Sequence, residues 1–224
     1  MGPLLEKARN SGSYTSNSTT TLETIRNMVR SRRFKVLVVR LDELRGRLLP
    51  PKFSQTGQYS AAQYDMAKAY VLLVHAEVEA FLEDRSREKA KKLEKVWRTK
   101  ARRTKGLRRL IQAHNIDSRH PWKPIEWSTD RVQKALNFYF GLINTNNGIK
   151  ELDIFKLFYP LGVGYESLDA TWLANMNSFG VVRGSFAHGS IKTHQPVDPQ
   201  NELNKVKQLV KGLSRLDRKI RDLG

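Results

Sequence analysis

The chain has 224 residues, with 40 Lys and Arg against 22 Asp and Glu, and a formal net charge of +18. It contains no cysteine, which excludes disulfides, thiolate zinc sites and iron–sulfur clusters. A hydrophobic fraction of 39% over this length predicts a folded core, and the positive charge favours a polyanionic partner over a small acidic metabolite.

The chain is predicted to begin with a flexible leader (1–21), rich in Ser, Thr, Asn and Gly, followed by a single helical domain (22–224). A first helix is predicted over 22–45, and the Pro50-Pro51 pair ends it. No apolar stretch approaches the roughly 20 residues that cross a bilayer, and no secretory signal is recognised. We therefore expect a cytoplasmic protein with no membrane partner.

The second predicted helix has the clearest pattern in the sequence. Ser60 is a suitable N-cap for it, because a serine hydroxyl can accept from the free N–H groups of the first turn. Its apolar stripe is predicted to contain Met66, Tyr70, Leu73, Glu77 and Phe81.

The second helix continues into a basic arm (85–109) with thirteen Lys or Arg, two Glu and a net charge of +11. We expect the arm to project from the core or to lie along its edge before a bend near Gly106. Nucleic acid would bind there by counterion release, with Trp97 stacked on an unpaired base. A solvated helical face with Trp97 packed on the protein is the alternative. The predicted nucleic-acid-binding residues are Lys91, Lys92, Lys95, Trp97, Arg98, Lys100, Arg102, Arg103, Lys105, Arg108 and Arg109.

The rest of the chain predicts helices over about 129–143, 149–158, 169–188 and 201–222. Ser128 or Thr129 would cap the first of these, and Ser167 or Asp169 the third. Strand-type alternation is nearly absent, and no internal repeat is evident. The predicted fold class is all-α, an antiparallel helical bundle with a long basic helical extension.

The segment Val182-Arg-Gly-Ser-Phe-Ala-His-Gly-Ser190 places Arg183 and His188 five residues apart near the end of a predicted helix. This motif resembles the Arg–His signature of the HEPN superfamily of helical ribonucleases, and RGSFAHG is similar to the RiboL-PSP-HEPN branch. The stretch 70–82 resembles the acidic-apolar early helix of those proteins, so the likeness covers about 60–190. It implies a metal-independent endoribonuclease that acts as a toxin or in antiviral defence.

An arginine and a histidine suffice for RNA scission without a metal. A neutral imidazole can take the proton of the ribose 2′-OH, and an imidazolium can protonate the 5′-oxygen leaving group. We expect His188 to be this general acid/base and Arg183 to hold the phosphate of single-stranded RNA, leaving a 2′,3′-cyclic phosphate. The alternative is that Arg183 is one basic residue among many and His188 a structural histidine, in a non-catalytic RNA- or DNA-binding module.

On an ideal helix, positions five apart differ by about 140° in direction and about 7.5 Å in height. The helix could loosen at Gly184, Arg183 could curl around it, or two copies of the motif could face each other across a two-fold axis. The family resemblance implies the last arrangement, a homodimer with a composite active site. An acidic antitoxin or effector protein is a further candidate partner.

Four residues are candidates for a supporting role: Glu77, Glu79, Gly184 and Ser185. Glu77 falls on the predicted apolar stripe, where a carboxylate is costly unless paired, so it could orient the motif. A purely structural ion pair is the alternative. Many family members have a polar residue where this chain has Gly184.

Other sites of known type are not predicted. His114, His120 and His194 lack the spacing and companion carboxylates of a zinc site. Gly162-Val-Gly164 lacks the third glycine of a dinucleotide-binding loop. We therefore predict neither a metal nor a cofactor.

Overall fold

The computed structural model describes residues 30–114, 127–188 and 196–223, and of 185–188 the backbone only. This described part forms helices and contains no strand, which confirms the predicted all-α bundle. The predicted leader lies outside the described residues. The seven α-helices described are α1 (Arg32–Leu48), α2 (Ala61–Lys100), α3 (Lys105–His114), α4 (Thr129–Asn144), α5 (Glu151–Phe158), α6 (Ala170–His188) and α7 (Pro199–Asp222).

Helix α2 is the centre of the bundle and packs against each of the other six described helices. It begins with a capping box: the Ser60 hydroxyl accepts from the Gln63 N–H, and the Gln63 side chain accepts from the Ser60 N–H. The predicted single stripe is wrong, since Met66 and Leu73 are 43% and 44% exposed. A helix with neighbours on several sides buries apolar residues on more than one face. Tyr70 of the predicted stripe is buried, and the fully buried residues of the helix also include Ala67, Val71, Val74, Val78, Phe81, Leu82 and Ala90.

Helix α1 runs antiparallel to α2, with the Phe34 and Phe81 rings edge to face at a centroid distance of 5.8 Å. It begins at Arg32 and not at residue 22, because Ser31 has an extended backbone and caps the helix by accepting from the Phe34 N–H. It also continues to Leu48, three residues beyond the predicted end. The part of the predicted helix over 22–29 lies outside the described residues.

The basic arm lies along the edge of the bundle. Arg85, Lys89 and Leu93 are buried on α2, and α3 packs on α4. The chain turns before the predicted bend at Gly106: α2 ends at Lys100, and Ala101 adopts a left-handed conformation with φ 47°. A non-glycine residue in this conformation ends the helix sharply.

The C-terminal helices complete the core and position the motif. Two contacts show that helices α6 and α7 are antiparallel: the Trp172 indole N–H donates to Leu209 O at 3.2 Å, and Asp169, immediately before α6, pairs with Arg215, later on α7, at 2.9 Å. Helix α7 begins at Pro199 behind an Asp198 cap, two residues before the predicted start. Across the described residues, no helix combines the length and the apolar character needed to cross a membrane.

Candidate active site

Helix α6 is held close to the start of α5, which places the Arg–His motif beside the central helix. At Gly180, an added Cβ would come within 2.9 Å of Lys150 Cγ, so a larger residue there would require the Lys150 side chain to shift. One turn earlier, Asn177 accepts from the Glu151 N–H at 2.8 Å and donates to the Glu151 carboxylate at 3.1 Å. These contacts fix the part of α6 from which Arg183 projects.

Arg183 is half-buried and lies near an imidazole and a carboxylate of α2. His75 Nδ1 is 3.7 Å from Glu79 Oε2, and the His75 side chain is only 3% exposed. The positive charge of Arg183 acts on both groups. The three residues therefore form a cluster at which α2 and α6 meet.

The electrostatics of the cluster keep His75 neutral. Burial is the main reason that the pKa of His75 is lowered to about 4; the charge of Arg183 contributes to this fall, and Asp153 opposes it. Burial also raises the pKa of Glu79, the neighbouring Glu83 adds to the rise, and Arg183 opposes it. Arg183 thus supplies positive charge to this site, Lys150 adds to it, and Glu79 is a carboxylate on which Arg183 acts.

The loop before α5 is tied to α2 near this cluster, through Glu83. Asn146 donates from its side-chain amide to Glu83 Oε1 at 3.0 Å and to Gly148 O at 3.1 Å. The Asp153 carboxylate accepts from the Lys150 N–H at 3.0 Å. In the described parts of the chain, no three His, Asp or Glu side chains are grouped as metal ligands would be.

The charge of Arg183 acts on Glu79, whereas Glu77 forms an ion pair with a different helix. Glu77 Oε1 is 3.0 Å from Arg40 Nε of α1. His75 is absent from the predicted site residues, although its position four residues before Glu79 is a spacing at which helical side chains meet. That i, i+4 relationship is the signal that could have identified it.

The backbone of α6 is α-helical from Ala170 to His188, including Gly184. The helix is not loosened at Gly184, so positions 183 and 188 keep the separation of about 140° that an ideal helix imposes. The side chains of Ser185 and His188 lie outside what the structure describes. Of the three ways to unite the motif, the two that remain are a curled Arg183 and a second copy of the chain.

The model of the RiboL-PSP-HEPN family matches residues 42–221. The chain belongs to this family. The match extends from α1 to α7 and includes both Arg183 and its neighbours on α2. No curated protein and no solved structure matches the chain.

Membership of the RiboL-PSP-HEPN family associates the protein with RNA and with nuclease function. Within this HEPN protein, the residues predicted to bind nucleic acid follow one another on the last part of α2, the turn at 101–104 and α3. Most of them are exposed, and their contact with nucleic acid stays a prediction.

Trp97 of the HEPN protein is partly buried against another indole. Its ring and that of Trp127 have centroids 5.8 Å apart and planes inclined by 33°. The Arg103 guanidinium carbon lies 5.6 Å from the centre of the Trp127 ring. One face of Trp97 is thus engaged in packing, as the alternative interpretation of the arm expects.

Proposed function

We propose that the protein is a metal-independent endoribonuclease in which Arg183 and His188 cleave single-stranded RNA. The observation that carries this proposal is a half-buried Arg183 set beside the His75–Glu79 pair in a chain of the RiboL-PSP-HEPN family. A partly buried carboxylate near an arginine can orient the guanidinium and still leave donors of its five N–H groups for a phosphate.

In the proposed reaction the ribose 2′-oxygen attacks the adjacent phosphorus, and the bond from phosphorus to the 5′-oxygen breaks. His188 accepts the proton of the 2′-OH or donates one to the departing 5′-oxygen. Arg183 stabilises the charge that grows on the non-bridging phosphate oxygens. The products are a 2′,3′-cyclic phosphate and a free 5′-hydroxyl.

The active site is proposed to be composite, formed by two copies of the chain. A continuous α6 separates positions 183 and 188 by about 140°, which a facing copy of the motif would overcome. Among the described large hydrophobic residues, Leu152 and Val181 are the most exposed, at 71% and 59%. Val181 is two residues before Arg183 on α6, and Leu152 follows Glu151, which contacts Asn177 of that helix. In the proposed dimer, the second copy of the chain covers these two side chains.

We also propose a cellular role as a toxin or in antiviral defence, in the cytoplasm. An enzyme that cleaves cellular RNA needs restraint, and an acidic antitoxin or effector protein would complement the net charge of +18. Growth arrest on expression of the protein, relieved by His188→Ala, is the expected sign of this role.

The test of the proposed function is cleavage of labelled single-stranded RNA and total RNA in excess EDTA. Arg183→Ala and His188→Ala should abolish cleavage, while His114→Ala, a histidine on α3 beside Phe138, should leave it unchanged. Wild-type products should carry cyclic-phosphate ends. Equal cleavage by the wild type and His188→Ala would refute the catalytic assignment, and tight RNA binding without any cleavage would favour the non-catalytic binding module.

A further inference from the structure

Two adjoining cavities lie at the end of the bundle where the basic arm folds back. Their volumes are about 680 and 870 Å³. They share Arg109, Gly162, Asp222 and Leu223, so they form one groove. Its walls are the last part of α2, the 101–104 turn, the start of α3 and the end of α7.

The smaller cavity is strongly basic. Among the described residues that line it, Asp222 is the one acidic side chain, and Asp222 already pairs with Arg221 at 3.0 Å. Its lining cations are Lys89, Lys92, Arg102, Arg103, Lys105 and Arg109.

Two of these cations hold the walls together. The Lys89 ammonium donates to the Leu223 carbonyl, and Arg109 Nη1 donates to Gly162 O at 2.6 Å. The other four have no ion pair with a carboxylate among the described residues, and all four are exposed. They are Lys92, Arg102, Arg103 and Lys105.

The floor of the groove is apolar. Leu93, Val96, Leu161 and Leu223 line it between the charged walls. A cavity with cationic walls and an apolar floor suits a chain whose anionic groups alternate with flat, largely apolar rings. Single-stranded RNA can turn an unstacked base inward, whereas a duplex keeps its bases stacked in the interior of a convex cylinder.

We infer that this groove binds the backbone and an unstacked base of single-stranded RNA at a distance from Arg183. The inference rests on the proposed function in taking RNA as the ligand. Lys89 follows His75 by fourteen residues on α2, a rise of about 21 Å. A strand held by both the groove and Arg183 must therefore span several nucleotides.

The groove divides the predicted basic residues of the arm into two classes. Lys91, Lys95 and Arg98 follow an i, i+4, i+7 spacing on α2, are exposed, and line neither cavity. They carry the same charge as Lys92, Arg102 and Arg103, so the two sets separate binding in the groove from the effect of net charge.

The experiment compares K92Q/R102Q/R103Q with K91Q/K95Q/R98Q. The ligand is a single strand of about 12 nucleotides with methylated 2′-oxygens. Such a strand cannot be cleaved by 2′-OH attack, so failure of the proposed catalysis would leave this binding result intact. Affinity is measured against salt concentration, after thermal melts have shown that both variants are folded.

Each phosphate contact on a single strand contributes about 0.7 to the slope of log affinity against log salt concentration. Loss of three contacts in the groove variant should therefore lower the magnitude of this slope by about 2. The affinity at about 0.1 M salt should fall by about a hundredfold. The outer variant should bind much like the wild type. Equal losses in both variants, no loss in the groove variant, or tighter binding of a duplex or an acidic polypeptide would each overturn the inference.

Discussion

The guanidinium of Arg85 on α2 lies 2.8 Å from the carboxylate of Asp217 on α7, and both side chains are buried, at 9% and 1% exposure. Asp217 also accepts from the Ser31 N–H at 2.9 Å and from the Ser31 hydroxyl at 2.6 Å. One carboxylate therefore ties the start of α1 to α2 and α7. Arg85 is also the first residue of the basic arm, so the arm is anchored in the core where it begins.

Asp217→Asn should destabilise the protein by about 3 kcal/mol, since it removes the buried one of the two carboxylates, Asp217 and the half-exposed Glu88, that pair with Arg85. Chemical denaturation at neutral pH measures the loss. Asp65→Asn is the matched control, because Asp65 is 65% exposed and, within the described part of the chain, its ion pair is with Lys68 of its own helix. That change should cost no more than about 0.5 kcal/mol. Similar losses in the two variants would contradict a structural role for the buried pair.

The indole of Trp172 lies against Gly212 on α7, and an added Cβ there would fall 2.0 Å from the ring. Gly212→Ala should destabilise the protein by about 2 kcal/mol, because the ring must move within a packed core. Gly46→Ala, on the exposed side of α1 with no atoms near the new Cβ, should instead stabilise it by about 0.5 kcal/mol. Thermal melts of both variants test whether the first substitution lowers and the second raises the stability of the protein.

Dimerisation should depend on the apolar residues beside the motif. Leu152→Glu combined with Val181→Glu should yield monomers in light scattering and remove RNA cleavage together with association. Val36→Glu with Val39→Glu places the same charges on α1, where the valines are 51% and 40% exposed, and should leave the dimer intact. A wild-type monomer with full activity would refute the composite site.

Most helices of the fold could be predicted because their starts have local signals. Ser60 and Ser128 stand at the N-caps of α2 and α4, and each precedes a helix with apolar residues in its core-facing positions. The start of α1 differs from the prediction because the cap at Ser31 is supported by Asp217, which is distant in the sequence. The turn at Ala101 has no glycine or proline to mark it.

The candidate site could be predicted only in part. Arg183 follows from the motif, but the choice between Glu77 and Glu79 depends on which face of α2 meets α6. Because α2 has neighbours on several sides, a single apolar stripe does not define that face. The partner of Glu77, Arg40, is 37 residues away on another helix, and this contact is not visible in local spacing.

Substitution of Glu79 and of Glu77 should have different effects on RNA cleavage. Glu79→Gln should lower RNA cleavage, since Arg183 loses the charge that orients it, and Glu79→Asp should restore part of the rate. Glu77→Gln should leave cleavage unchanged and cost less than about 1 kcal/mol, because its pair with Arg40 is partly exposed. A larger effect of Glu77→Gln on cleavage would reverse the assignment.

His75 should make stability depend on pH between its ordinary pKa near 6.5 and the value of about 4 to which burial, together with Arg183, lowers it. Over this range the unfolded chain binds a proton at His75 and the folded protein does not. Stability attributable to His75 therefore falls as pH falls, by up to about 3 kcal/mol at pH 4. Above about pH 6.5 His75 is neutral in both the folded and the unfolded state, so it does not make stability depend on pH.

Denaturation of the wild type and His75→Gln at several pH values isolates this contribution. Glu79, Asp153 and Lys150 are present in both proteins, so the difference between the two curves mainly reports His75. As pH falls from about 6.5 to about 4, the stability of His75→Gln should rise relative to that of the wild type. Parallel curves of stability against pH for the two proteins would contradict a buried neutral imidazole. Arg183→Gln should reduce the difference, because it removes a positive charge that resists protonation of His75. That coupling would be measurable only if α6 presents Arg183 to the buried face of α2.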